Sequence, residues 1–267
     1  MKVSSILASA ILCLFCVVIL CICSEKKTKV ASIQEKADSL ITVIGKLEEK
    51  IDLIEKEFPQ LKVDSVNLSD LIIYEPKGLQ IQIRHERPGF YCKNYLCFPA
   101  AYTTRTDKID GFFIENGTLV NDIINTKLTG VCVITEESIT IGGYEMVHND
   151  LINNTIKIKG CAFQQTLLVK SNEVFPCDLF GERMNKRRAL VKIKEKAYLV
   201  ESKGLVAINV FQQSLIEIGA IDAINLDMGS WSEGWFKDNC GNIVVVGENQ
   251  NMSNTHRQTN WIICLKE

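Results

Sequence analysis

Apolar residues recur with a seven-residue period between residues 30 and 61 of this chain. The first and fourth positions of five heptads hold Val30 and Ile33, Ala37 and Leu40, Ile44 and Leu47, Ile51 and Ile54, and Phe58 and Leu61. This repeat puts one apolar stripe along a helix and is typical of a coiled coil. We therefore expect residues 24–62 to form a coiled-coil stalk that joins copies of the chain into a homo-oligomer. The alternative is one amphipathic helix packed on the folded domain.

The residues before the stalk are strongly apolar. Residues 6–23 are 18 consecutive residues without a charge, and as a helix they would span roughly 27 Å, close to the thickness of a bilayer core. They predict a transmembrane helix, with residues 1–23 as a single-pass membrane anchor. The very short N-terminal tail favours an N-terminus in the cytoplasm. We expect a protein of the bacterial cell membrane with an extracytoplasmic C-terminal domain, and a lipid on Cys23 is the alternative anchor.

The hydrophobic period changes after residue 62. Apolar and polar residues alternate over residues 79–83, 155–159 and 190–194, which is typical of half-buried strands. Shorter apolar runs predict strands over residues 131–135, 167–169, 197–200, 243–246 and 261–265. One helix is predicted from Val206 to Ile218, with Val210, Leu215 and Ile218 on its apolar side and Gly219 ending it.

These elements predict an α+β fold for residues 63–267. Its core is expected to be a strand-rich mixed sheet with one long helix, preceded by the transmembrane helix and the coiled-coil stalk.

Charge and cysteine usage exclude several classes of function. The formal net charge is −2 and the C-terminal part has no block of basic residues, so nucleic acid is not expected as a partner. Only three histidines are present, and the seven cysteines after residue 23 include no C-x-x-C pair, so no metal site is predicted. Cys92 and Cys97 could close a small disulfide ring in an oxidising compartment. The sequence identifies no cofactor.

A polar loop follows the most regular strand pattern after the helix. Residues 220–227 alternate so that Ile224 and Leu226 lie on one face of a strand, and Asn225 and Asp227 on the other. Residues 228–235 then carry glycine, serine, tryptophan and a carboxylate. Loops that leave a rigid strand end are common places for binding and catalytic groups.

Four blocks of sequence, residues 187–190, 198–200, 218–220 and 222–229, form a recognisable pattern, and residues 99–117 add a weaker one. Together these blocks resemble the phosphodiester glycosidase family, the uncovering-enzyme-like domains. The family pattern has an Asp-Gly-Gly-Gly-Ser-Ser run, where this chain has Met228 and Ser230 in place of two glycines, and it has an early Asn near the present Ala100 and Ala101. The resemblance covers most of residues 79–235 and implies a divergent bacterial subgroup.

The resemblance implies roles for particular residues. Cleavage of a sugar-1-phosphodiester needs a carboxylate near the anomeric carbon and a cation on the phosphate. Asp227 is expected as base, nucleophile or charge stabiliser, Arg188 as the phosphate-binding guanidinium, and Glu233 as a second catalytic carboxylate. The expected substrate-binding residues are Asn225, Gly229, Ser230, Trp231 and Arg187. The alternatives are a solvated strand-end charge for Arg188 and a turn-closing residue for Asp227.

The function expected from this reading is a membrane-tethered extracytoplasmic hydrolase that cleaves a sugar-1-phosphodiester linkage in a glycan. Its partners would be a glycan or sugar-phosphate substrate, the membrane through the N-terminal helix, and further copies of the chain through the stalk. A catalytically silent module that binds glycans or organises the envelope, and a purely structural stalked oligomer, are the alternatives.

Overall fold

The computed structural model describes residues 36–46, 62–68, 70–89, 93–177, 181, 183–228, 233–238, 240–246 and 256–266. Contacts divide the chain into two units, Met1–Gln60 and Leu61–Glu267. In the first unit, residues 36–46 form helix α1, which exposes Leu40, Ile41 and Val43. Because the other heptads lie outside the described residues, the coiled-coil stalk, its oligomer and the domain boundaries stay predictions.

The predicted transmembrane helix is not seen. None of the helices that the structure describes combines the length and the apolar character needed to cross a membrane. The apolar run of residues 6–23 itself lies outside the described residues.

In the second unit, the described residues form 17 β-strands. They are β1 (Lys62–Asn67), β2 (Leu71–Lys77), β3 (Gln80–Arg84), β4 (Asn94–Pro99), β5 (Phe113–Glu115), β6 (Thr118–Asn121), β7 (Gly130–Ile134), β8 (Ile139–Gly143), β9 (Cys161–Gln165), β10 (Leu167–Lys170), β11 (Glu173–Val174), β12 (Arg188–Ile193), β13 (Lys196–Ser202), β14 (Asp222–Leu226), β15 (Gly234–Lys237), β16 (Ile243–Val246) and β17 (Trp261–Leu265).

The strands assemble into three sheets within the described part of the chain. The first has the order β1-β2-β13-β12-β14-β10-β11, the second β16-β15-β4-β17-β3, and the third β6-β5-β9-β7-β8. Every paired strand is antiparallel. The prediction of a mixed sheet was therefore wrong. Several neighbours, such as β12 and β13, are joined by short turns, and a parallel pair would need a long crossover connection.

The prediction of one long helix was also wrong. The second unit has two short helices among its described residues, α2 (Asn149–Lys157) and α3 (Ile208–Glu217), and a 3-10 turn at Tyr144–Met146. Helix α3 buries Ile208, Phe211 and Leu215 against the first sheet. Val210, which was expected on that face, is exposed. The prediction that Gly219 ends this helix is confirmed. Gly219 has a φ of +87° and donates its N–H to the Ile216 carbonyl.

Helix α2 replaces part of a predicted strand. The alternation at residues 155–159 was interpreted as β, but residues 149–157 are helical. The His148 side chain accepts a hydrogen bond from the Leu151 N–H at 3.1 Å and so caps the helix. Leu151 and Ile156 pack against a buried cluster of Phe112, Ile114, Val131 and Ala162. Five residues of alternation fit a helix face equally well when the flanking residues supply a cap.

The disulfide that Cys92 and Cys97 could form is not seen at Cys97. Cys97 is a free cysteine, buried in β4 against Trp235 and Trp261. Cys92 lies outside the described residues. Burial raises the pKa of the Cys97 thiol, so it remains protonated and behaves as a small apolar side chain.

All three sheets contribute to one central core, which contains a buried ion pair. Arg188 of β12 and Glu201 of β13 face each other, with Arg188 Nη2 and Nε at 2.7 and 3.2 Å from Glu201 Oε2. The guanidinium carbon lies 4.0 Å from the centre of the Phe98 ring, which belongs to the second sheet. Tyr74 packs edge-on to Phe98 at 5.1 Å. The pair therefore links two adjacent strands to the facing sheet.

Removing one member of this pair should destabilise the domain strongly. Arg188→Met leaves the Glu201 carboxylate buried without its cation, at an expected cost of about 3–5 kcal/mol in the free energy of unfolding. Arg188→Met combined with Glu201→Leu should recover most of that loss, because two apolar side chains can fill the same space. Urea denaturation of the two variants checks this. A single Arg188→Met within 1 kcal/mol of wild type would show that the pair is not a structural element.

Candidate functional site

The C-terminal end of β14 is where three parts of the fold meet. The Asn225 N–H donates to the carbonyl of Thr166 at 2.8 Å, and the Asp227 N–H donates to the carbonyl of Ala100 at 2.8 Å. Thr166 lies between β9 and β10, where the chain passes from the third sheet to the first, and Ala100 directly follows β4 of the second sheet. Leu226 points into the central core, as the alternation predicted. The backbone of Asn225 is thus held by the Thr166 carbonyl, and the backbone of Asp227 by the Ala100 carbonyl.

Buried Asn225 and half-buried Tyr102 form a hydrogen-bonded pair. Asn225 Nδ2 donates to the Tyr102 hydroxyl at 2.9 Å and to the Leu226 carbonyl at 3.0 Å. Burial, and next the negative charge of Asp227, raise the pKa of Tyr102 well above its ordinary value. The phenol therefore keeps its proton at neutral pH. Asn225 and Tyr102 together fix the polar edge beside Asp227.

Asp227 is almost fully enclosed, with 3% of its surface exposed. Burial raises the pKa of its carboxyl to about 8, although hydrogen bonds from the backbone N–H groups of Thr103 and Met228 and the charge of Arg188 oppose that shift. At neutral pH the carboxyl is therefore mostly protonated in the free protein. A neutral carboxylic acid in a desolvated site is suited to donate a proton or a hydrogen bond.

Three buried polar atoms beside this strand end have no hydrogen-bond partner among the described residues. They are Asp227 Oδ2, Thr166 Oγ1 and Gln165 Nε2. The Thr166 side chain lies beside the Tyr102 hydroxyl and opposes the rise of its pKa, and Gln165 uses its Oε1 to accept the Thr166 N–H at 2.8 Å. Each such atom costs about 1–3 kcal/mol when it is buried unsatisfied. A cluster of them at one place indicates a site that a ligand's polar groups complete.

The two arginines predicted at the site are occupied by the protein. Arg188 is fully buried and paired with Glu201, so it is neither a solvated strand-end charge nor open to a ligand in this arrangement. Arg187 is also buried, and it donates Nε to the Val206 carbonyl at 3.3 Å and Nη2 to the Arg183 carbonyl at 2.5 Å. Burial lowers the pKa of Arg187. A phosphate-binding role for either residue stays a prediction.

The remaining predicted site residues are placed in part. Glu233 is mostly buried and forms an ion pair with Arg87, whose guanidinium lies 5.2 Å from the Trp261 ring centre. Gly229, Ser230 and Trp231 lie outside the described residues. The structure thus brings Asn225 and Asp227 together and describes no contact between Glu233 and either of them.

Sequence reasoning missed Tyr102, Gln165 and Thr166. Tyr102 stood in the block of residues 99–117 that carried the weaker part of the resemblance, but no role was given to it. Gln165 and Thr166 belong to a polar run between two apolar segments, Cys161–Phe163 and Leu167–Val169. A polar run inside a buried strand pair is unusual, and that was the available signal.

No family model and no curated protein matches the sequence. The fold resembles the zebrafish N-acetylglucosamine-1-phosphodiester alpha-N-acetylglucosaminidase catalytic domain auto-inhibited by its pro-peptide. The TM-score is 0.56 and the identity 14%, over 77% of this chain and 81% of that chain. At this identity the likeness shows a related, glycosidase-like fold.

A hypothetical protein from Synechocystis matches at a TM-score of 0.47 and 11% identity, over 76% of this chain and 61% of that one. This second likeness is too distant to support any conclusion about the fold.

The raised pKa of Asp227 predicts a pH-dependent stability that an isosteric amide removes. The folded pKa of about 8 exceeds the ordinary 3.8. The contribution of Asp227 to the free energy of unfolding is therefore fully present below about pH 4, and it is lost as the pH rises through 8. The asparagine in Asp227→Asn cannot ionise. The free energy of unfolding of this variant should therefore rise relative to that of wild type between pH 5 and 8, by on the order of 3 kcal/mol. Urea denaturation at several pH values checks this, and a pH-independent difference between the two proteins would contradict it.

Proposed function

We propose that the second unit hydrolyses a sugar-1-phosphodiester linkage in a glycan, at the site formed by Asp227, Asn225 and Tyr102. The single observation that carries the proposal is the enclosed Asp227 carboxyl, protonated at neutral pH, with Oδ2 unpartnered beside two further unpartnered polar atoms. The related fold of a phosphodiester glycosidase and the sequence motif around residues 222–229 support the same reaction class.

The geometry favours Asp227 as the proton donor of this reaction. Breaking the bond between the anomeric carbon and the phosphate oxygen leaves the electron pair on that oxygen, and the Asp227 carboxyl transfers its proton towards it. Water adds to the oxocarbenium-like sugar, and the proton that the water releases returns to Asp227. The products are the free sugar and a phosphomonoester.

The unpartnered groups beside Asp227 match the hydroxyl groups of a sugar. The Gln165 amide nitrogen offers donors, and the Thr166 hydroxyl both donates and accepts. Both groups lie on the chain corner that holds Asn225. Because these atoms are buried in the free chain, sugar entry requires local opening of the residues that cover them. Hydrogen bonds to the sugar then offset the cost of that opening.

A catalytically silent glycan-binding module is the second candidate. The observation that favours it is the replacement of two glycines of the family motif by Met228 and Ser230, because larger side chains restrict a close backbone approach to a phosphate. The same Asp227, Gln165 and Thr166 groups would then bind the sugar without cleaving a bond. Turnover separates the two candidates.

Asp227→Asn should lower turnover on a panel of sugar-1-phosphodiesters by on the order of 10² or more, because the amide keeps the shape and loses the acidic proton. Released phosphomonoester is the readout with the full-length chain. If Asp227→Asn turns the substrate over as fast as wild type does, the proton donor lies elsewhere. Wild-type protein that binds sugars but cleaves none of the panel would favour the binding module.

Thr166→Val separates a ligand-binding role from a structural one. Valine is nearly isosteric and removes an unpartnered buried hydroxyl, so the melting temperature should stay equal or rise while kcat/KM, or sugar affinity, falls about tenfold. The matched control is Thr155→Val, because Thr155 is also buried but its hydroxyl donates to the Leu151 carbonyl at 2.8 Å. The control should lose stability and keep kcat/KM. A Thr166→Val variant that unfolds with unchanged kcat/KM would contradict the ligand role.

A further inference from the structure

A second cleft lies on the surface of the same unit and carries a concentration of basic groups. Its volume is about 800 Å³, and its walls include His85, Lys108, His256 and Arg257, with Asp107 as the single carboxylate among them. Lys108 and Arg257 supply two permanent positive charges against one negative charge. Histidine ring nitrogens can donate hydrogen bonds in the neutral and in the charged form. The lining is thus suited to an anion.

Two of these basic groups are held in place by neighbouring residues. The Arg257 guanidinium contacts Asp107 at 2.7 Å and donates to the Arg105 carbonyl at 3.0 Å. His85 Nδ1 lies 2.5 Å from Glu115 Oε2, and Arg84 offsets the Glu115 charge at 3.4 Å. Fixed donors lose less conformational entropy on binding than free side chains do. Lys108 remains an exposed side chain at the mouth of the cleft.

One residue connects the cleft to the candidate site. The Thr103 N–H donates to the Asp227 carboxylate, and the Thr103 hydroxyl contacts Gln258 Oε1 and Thr259 Oγ1, each at 3.1 Å. Gln258 and Thr259 line the cleft. Thr103 therefore contacts both the lining of the cleft and the Asp227 carboxyl.

The two arginines first expected to bind phosphate are buried and held by protein groups, whereas the basic groups of the cleft line an open surface. We propose that the basic cleft binds the phosphoryl group and the attached aglycone of the substrate. This proposal rests on the proposed function, because it assigns the second half of the same phosphodiester. Lys108 and Arg257 attract the phosphate charge, while the Thr259 hydroxyl, which contacts Thr103, orients it.

Inorganic phosphate is the probe that tests the cleft without requiring turnover. The full-length chain is titrated with phosphate at low ionic strength and binding is followed calorimetrically. Lys108→Glu should weaken binding at least about tenfold, because it reverses a charge at the mouth of the cleft, and added salt should weaken binding to wild type. The matched control is Lys77→Glu, because Lys77 lines the other cleft of the unit and the change in net charge is the same. The control should change the affinity less than twofold.

Thr259→Val gives a second variant that keeps the charge. It should weaken phosphate binding several-fold and leave the melting temperature within a few degrees, because only one hydroxyl is removed. The proposal that the cleft binds phosphate would be overturned if Lys108→Glu and Lys77→Glu changed the phosphate affinity equally. It would also be overturned if neither Lys108→Glu nor Thr259→Val changed that affinity. Phosphate binding that depends on Lys108 in a chain that hydrolyses no diester supports the anion site and contradicts the proposed hydrolysis. If the chain hydrolyses a diester and Lys108→Glu leaves the KM unchanged, the phosphate-binding role of the cleft is contradicted and the proposed hydrolysis is not.

Discussion

The buried ion pair between Arg188 and Glu201 is the interaction on which the second unit depends. Neither charge could remain in the core alone, because the free energy needed to desolvate an unpaired ion is far larger than the stabilisation from a single packing contact. The pair fixes the register between β12 and β13, in which Arg188 lies opposite Glu201. Phe98 stacks on the guanidinium and brings the second sheet against the first. Burial, and next the charge of Glu201, raise the pKa of the neighbouring Tyr74, so its phenol stays neutral within this dry region.

That register also positions the candidate site. Arg188 pairs across the sheet with Leu226, the last residue of β14, so Asp227 follows one residue beyond the buried charge. Asp227 then emerges where the chain segment after β4 and the corner between β9 and β10 close around it. The same dryness that makes the ion pair compact raises the pKa of Asp227. A carboxyl that keeps its proton at neutral pH is thus a consequence of where the core ends.

Local sequence patterns predicted much of the strand content and failed where the deciding interactions are distant. The strands at residues 243–246 and 261–265 were placed as the structure has them. Residues 155–159 were assigned wrongly, because helix α2 depends on the His148 cap and on packing against Phe112. The sheets are antiparallel rather than mixed, which strand patterns alone do not distinguish when both faces are buried.

The sequence by itself determined the alternation that sends Leu226 to the core and places Asn225 and Asp227 together on the opposite face, because side chains of a strand alternate whatever surrounds it. It also determined the glycine end of helix α3, since residue 219 needs a positive φ. Only the tertiary structure decided that Arg188 pairs with Glu201, that Tyr102 and Thr166 join Asp227, and that Thr103 connects this carboxyl to a basic cleft. Those partners are 13 to more than 100 positions apart in the sequence. Their charge and hydrogen-bonding states depend on burial, which arises only when the three sheets pack.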